Sequence, residues 1–202
     1  MMEDGLFFGK YRGKVAENND PNKMGRLQVE VPAVLGEGKK SWAMPCLPYA
    51  GPKVGFFALP PKGANVWVEF EGGDPDYPIW TGCFWGKGEM PVTVGEDKVK
   101  AFLKTEGTSL TIIDKKNSGG LFLEVGSPAV GKPIKVTLNN KGVAITNQTG
   151  SFKLSPTEIN LDLKSARIDL KKSSLELNVN PKGNIKVTGI KVNVNKNALE
   201  VM

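Results

Sequence analysis

The chain has 202 residues, with 24 Gly, 14 Pro, 40% hydrophobic residues and a formal net charge of +6, a length that allows one or two domains. It contains no histidine, which removes the usual general base near neutral pH and the commonest metal ligand. Abundant Gly and Pro with little helical periodicity point to an all-β protein.

Composition changes along the chain. Residues 1–95 hold 10 Lys and Arg against 11 Asp and Glu, net −1, whereas residues 96–202 hold 17 against 10, net +7. All four Trp, all three Tyr and ten of the 14 Pro lie in the first part. This predicts a barrel domain over 1–95, a connector with a β-hairpin over 96–130 and a third segment over 131–202. The start, Met1-Met2-Glu3-Asp4-Gly5, is acidic and lacks an apolar run, so synthesis in the cytoplasm without a signal peptide is expected. No run reaches transmembrane length. Cys46 and Cys83 lie far apart without metal-ligand spacing and are expected to be free, buried thiols.

In chain order, residues 9–15 and 26–32 alternate apolar and polar positions as strands do, across a turn-rich loop at 17–25. Residues 36–41 are rich in Gly and Lys and predict a loop. Residues 42–49 are apolar but carry Pro45 and Pro48, which predicts an edge or bulged strand. Residues 55–63 read as a strand into a turn, 65–70 as the clearest strand, 71–78 as a hairpin loop and 79–85 as a final strand. Five or six short, aromatic-rich strands in under 90 residues fit a small closed barrel such as the OB-fold. Residues 96–107 read as a polar connector. Residues 109–114 and 120–125 form a hairpin across Lys115-Lys116-Asn117-Ser118-Gly119.

From residue 134 onward the chain is a ladder of narrow alternating rungs. The apolar positions are Ile134, Val136 and Leu138; Val143 and Ile145; Phe152 and Leu154; Ile159, Leu161 and Leu163; Ile168 and Leu170; Leu175, Leu177 and Val179; Ile185 and Val187; and Ile190, Val192 and Val194. The rungs recur roughly every eight to nine residues, a period of repeated supersecondary units rather than of an ordinary domain. One copy would leave its apolar face in water and its edges unpaired. Three identical chains wound together would bury every inward position. The prediction is therefore an obligate homotrimer: an N-terminal OB-fold barrel followed by an intertwined triple-stranded β-helix needle, with the residues just named as its core. At about 4.8 Å per strand the needle should be roughly 35–45 Å long. A two-sheet sandwich within one chain is the competing fold, but sandwich strands are usually longer and bring aromatic core residues.

Little in the sequence suggests reaction chemistry. Asp74 and Asp76 flank Pro75 and read as turn formers rather than as a glycosidase pair. Cys46 has no His partner to activate it. Gly72-Gly73 is not followed by a phosphate-loop signature. No enzyme activity, cofactor or metal site is expected. The ladder's lysines alternate with apolar residues and read as a solvated outer face, with contact to an anionic membrane or to nucleic acid as weaker readings.

Three stretches resemble the central spike proteins of contractile injection systems, the phage baseplate assembly protein V family and the VgrG spikes. They are Gly25-Arg26-Leu27-Gln28-Val29-Glu30-Val31-Pro32; Pro60-Pro61-Lys62-Gly63 with Val66-Trp67-Val68-Glu69-Phe70, Gly73-Asp74, Pro78 and Gly82; and Leu110-Thr111-Ile112-Ile113-Asp114 with Gly119-Gly120-Leu121-Phe122-Leu123. Their order, together with the ladder, extends the resemblance over nearly the whole chain. It implies a trimeric spike in a phage tail, tailocin, extracellular or type VI-like particle, nucleating the baseplate and puncturing an envelope, with a ring-shaped hub protein above the barrel. Many phage spikes bind iron at the apex through a His-x-His pair, which this sequence lacks. The family's other solution is a PAAR-type tip protein, with Val192, Val194, Leu199 and Val201 as its platform here. The sequence between 85 and 110 has no room for an inserted lysozyme or effector domain. The alternative function is an OB-fold protein for single-stranded nucleic acid with an oligomerising β tail.

Overall fold

The structure, a computed structural model, describes residues 5–91, 99–180, 183–195 and 198–201, without the side chains of Glu200 and Val201. The chain separates into two compact units, Met1–Met90 and Pro91–Met202. The expected boundary near Val94 and Gly95 lies outside the described residues.

The first unit contains β1 (Tyr11–Glu17), β2 (Leu27–Glu30), β3 (Lys40–Pro45), β4 (Ala50–Gly51), β5 (Val54–Gly55), β6 (Asn65–Phe70) and β7 (Pro78–Phe84). Strands β1, β2, β3, β7 and β6 close into a barrel in that order. The β3–β7 pairing is parallel and the others are antiparallel. Alternation decides which side chains turn inward: in β6, Val66, Val68 and Phe70 are buried while their neighbours are not. With Val15, Leu27, Val29, Val31, Ala43 and Trp80 they form the core. Pro32–Leu35 is a single helical turn, α1, opened by a proline that has no N–H to lose there and ended at Gly36, whose φ is +89°.

Three local expectations change. Strand β3 is not an edge, because it sits between β2 and β7. Pro45 is tolerated because it is the last residue of a two-residue pairing, beyond which Cys46 N–H donates to the Trp80 carbonyl at 3.0 Å. The loop expected at 36–41 is already strand from Lys40. The strand expected at 55–63 stops at Gly55, and its apolar residues Phe56, Phe57 and Leu59 are exposed.

The second unit is one sheet. It comprises β8 (Val99–Lys104), β9 (Thr108–Ile113), β10 (Gly120–Val125), β11 (Ile134–Asn139), β12 (Gly142–Thr146), β13 (Ser151–Leu154), β14 (Glu158–Leu163), β15 (Ala166–Lys171), β16 (Ser174–Val179), β17 (Gly183–Thr188), β18 (Val192–Val194) and β19 (Leu199–Val201). The 12 strands lie in chain order, each antiparallel to its sequence neighbours. The supposed connector thus supplies β8, a mostly apolar strand paired with β9 and hidden by the charged and polar residues on either side of it in the sequence.

The hairpins that turn this sheet are tight. At Gly142 φ is +117°, and a Cβ there would run into the Leu154 carbonyl oxygen of the rung beyond. Only glycine accepts both the dihedral and the approach. Gly142→Ala should therefore separate β12 from β13 and lower the thermal midpoint. A variant that melts with the wild type would contradict this reading of the hairpin.

Candidate functional site

The register of the second unit carries the clearest functional geometry. Residues directly opposite one another in an antiparallel pair share a face. Followed across the sheet, one column of opposed residues runs Leu103, Leu110, Leu123, Val136, Ile145, Phe152, Leu161, Ile168, Leu177, Ile185, Val194 and Leu199. A second runs Ala101, Ile112, Leu121, Leu138, Val143, Leu154, Ile159, Leu170, Leu175, Val187, Val192 and Val201. Ile134 opposite Val125, and Leu163 and Val179 opposite Ala166, widen the same face. One slip of register anywhere would break both columns.

Every residue expected in the needle core lies on this face except Ile190. That residue sits in the turn before β18 and is 81% exposed. Its apolar side chain mimicked a rung position, but the turn falls there. Val192, Val194 and Leu199, expected as a platform, belong to the two columns, so their side chains share the rung face. Val201 is opposite Val192, and its side chain lies outside the described residues.

In one chain this face is uncovered. All buried hydrophobic residues of the described structure belong to the barrel, and the only buried residues of the ladder are Asn160 and Asp169. Leu161 is 44% exposed and Leu163 63%. A groove of about 540 Å³ runs along the face, lined by Ile145, Phe152, Leu161, Ile168, Leu177 and Val179 among others.

The opposite face is mostly polar and carries four ion pairs. Lys135 meets Glu124 at 3.2 Å, Arg167 meets Asp169 at 2.7 Å, Lys171 meets Glu158 at 3.6 Å and Lys186 meets Glu176 at 3.8 Å. Burial alone would raise the Asp169 carboxyl, but hydrogen bonds from Arg167 and Asn160 hold it below its ordinary value. Asn184 bridges Glu176 and Asn178 at 3.1 and 2.6 Å.

On the barrel, the loop between β1 and β2 is built around Asp20. Its carboxylate accepts from the backbone N–H groups of Asn22, Met24 and Arg26 and from the Arg26 guanidinium at 2.8 Å. Its side chain is only 4% exposed. Arg26 also lies 5.2 Å from the Trp42 ring centroid. The barrel's aromatics divide between core and surface. Phe70 and Trp80 are buried, while Phe8, Tyr49, Phe56, Phe57, Tyr77 and Trp85 are exposed. Cys46 and Cys83 are free but exposed rather than buried. Asp74 accepts from the Asp76 N–H at 2.9 Å and makes the expected turn. Among the described residues, no group of three or more Cys, Asp or Glu could hold a metal ion, and no helix is long and apolar enough to cross a membrane.

The fold thus defines a class: a small closed barrel joined to a one-faced antiparallel ladder whose apolar side no part of the ladder itself covers. Comparison with known proteins agrees. Residues 11–85 match the model of the type VI secretion system/phage-baseplate injector OB domain. Over 108 residues the chain is 33% identical to the actin cross-linking toxin VgrG1 of Vibrio cholerae, covering 51% of this chain and 10% of that protein. It is 31% identical over 108 residues to the type VI secretion system spike protein VgrG3 of the same species, covering 51% of this chain and 11% of that protein. Over these stretches the chain is similar to an injector OB domain and to VgrG spike proteins. It spans about a tenth of the length of these relatives.

The Asp20 loop gives a pH test. The Arg26 hydrogen bond, helped by the backbone donors, holds the Asp20 carboxyl well below the usual range. An unfolded aspartate titrates near about 3.9, so this contribution is complete above about pH 4 and is lost as pH falls through the folded value. Asp20→Asn should lower the thermal midpoint at pH 7, and the gap from wild type should narrow as the pH is taken below about 4. A gap that stays constant across that range would refute the assignment.

Proposed function

We propose that the chain is a non-enzymatic homotrimeric spike at the tip of a contractile injection particle, where it nucleates the baseplate and punctures the target envelope. The observation that supports this most is the pair of unbroken apolar columns left open on one chain. Burying a leucine fully contributes about 1.5–3 kcal/mol, so covering a half-exposed one contributes about 1 kcal/mol. Repeated along both columns of three chains, this exceeds the cost of association, about 4–15 kcal/mol. Stiffness along the needle follows from stacked rungs whose backbone bonds must break together.

In this reading a ring-shaped hub sits on the barrel, and the exposed apolar residues Tyr49, Phe56, Phe57 and Leu59 suit such a contact. A PAAR-type tip protein would sit on β19, the last strand of the sheet, whose outer backbone edge has no partner strand among the described residues. A single-stranded nucleic-acid reading has less support. The barrel's side-by-side aromatics Trp67 and Phe84 are already stacked on Arg12, 5.0 and 4.9 Å from its guanidinium.

Two substitutions on opposite faces test the proposal. Leu161→Asp would place a carboxylate on each chain in the closed interior, at a cost of several kcal/mol per charge, and should abolish the trimer in light scattering. Lys153→Asp, one residue from Leu154 but on the polar face, should leave it intact. An assembled, heat-stable trimer from Leu161→Asp would sink the proposed interior.

A further inference from the structure

The ladder's excess positive charge is not spread evenly over its outer face. The strand carboxylates Glu124, Glu158, Asp169 and Glu176 each have a cation within 4 Å on the same face. Of the exposed lysines of this unit that have no ion-pair partner among the described residues, Lys100, Lys104 and Lys153 lie on strands and the larger number sit in the turns. Lys115 and Lys116 lie between β9 and β10, Lys132 between β10 and β11, Lys141 between β11 and β12, Lys164 between β14 and β15, and Lys172 between β15 and β16. Carboxylates are scarce there: between β11 and β18 the described turns contain none. In an antiparallel meander every turn lies at one or other lateral edge of the sheet, and turns on one edge recur every two strands, about 9.5 Å apart.

This has a consequence if three such sheets close on one another, and so it rests on the trimeric reading proposed above. The lateral edges become the three corners of the prism. The walls carry the ion pairs and the three strand lysines, and the six turn lysines gather on three ridges that run along the needle. Corners project furthest, and whatever the needle passes through meets them first. We propose that these turn lysines form a docking surface for the headgroups of anionic phospholipids, engaged as the needle enters a bilayer. Attraction of the ammonium groups to the lipid is electrostatic, falls with ionic strength and needs a negatively charged leaflet. The lysine stems let the ammonium groups follow headgroups at different depths.

The test uses the full-length chain and vesicle flotation. Wild type should float with vesicles containing about one-third phosphatidylglycerol, should not float with pure phosphatidylcholine, and should be released as salt is raised. Replacing Lys115, Lys116, Lys141, Lys164 and Lys172 by Gln should weaken binding about tenfold or more, whereas Arg at the same positions should retain it. Light scattering on each sample separates the two levels. A trimer with no preference for the anionic vesicles, or a Gln variant that binds like wild type, overturns the lipid surface and leaves the spike reading standing. A monomeric wild type overturns the spike reading and the ridges with it. Tighter binding to duplex DNA than to the anionic vesicles would reject the lipid assignment.

Discussion

The second unit depends on one constraint, the exact opposition of apolar residues across every strand pair from β8 to β19. Strand side chains alternate with a period of two, so a single misplaced residue would turn the next rung's leucines to the wrong side. Short turns hold that register. Gly142 admits one between β11 and β12, and Lys164 takes a left-handed φ of 46° in another. The barrel, by contrast, is held by an ordinary closed core and owes nothing to register over long distances.

Magnitudes decide which face of the sheet has more to gain from being covered. Exposed ion pairs such as Lys171 with Glu158 contribute about 0–1 kcal/mol each and are weakened by salt. They keep the outer face soluble and disfavour edge pairing. The apolar columns offer more per residue, but only once something covers them. A sheet that buries no hydrophobic side chain among its described residues leaves that stabilisation to whatever covers its apolar face.

The ladder was the most legible part of the sequence, because alternation reports directly which positions share a face, and all eight expected rungs are strands. Alternation failed where a turn imitates it, at Ile190, and where charged and polar flanks conceal a short apolar strand, as at β8. The barrel was legible as a closed set of short strands, but its details were not. Pro45 suggested an edge, whereas two parallel backbone pairings suffice to hold β3 inside the barrel order. The aromatic richness did not show which rings turn inward: Phe70 and Trp80 join an otherwise aliphatic core, with Phe7 and Tyr11 packed against it. The exposure of Phe56 and Phe57 depends on where β5 ends, which no periodicity marks. The Asp20 loop was visible only as turn-rich sequence, because the carboxylate's role comes from three backbone donors that converge on it in space.

The central claim is that the two apolar columns of one chain are closed by two further copies. Sedimentation equilibrium of the intact protein at low concentration measures this most directly. The account predicts a single species of three times 21.8 kDa, about 65 kDa, that persists on dilution. A stable particle of 21.8 kDa would contradict it, because its columns would then be satisfied within one chain.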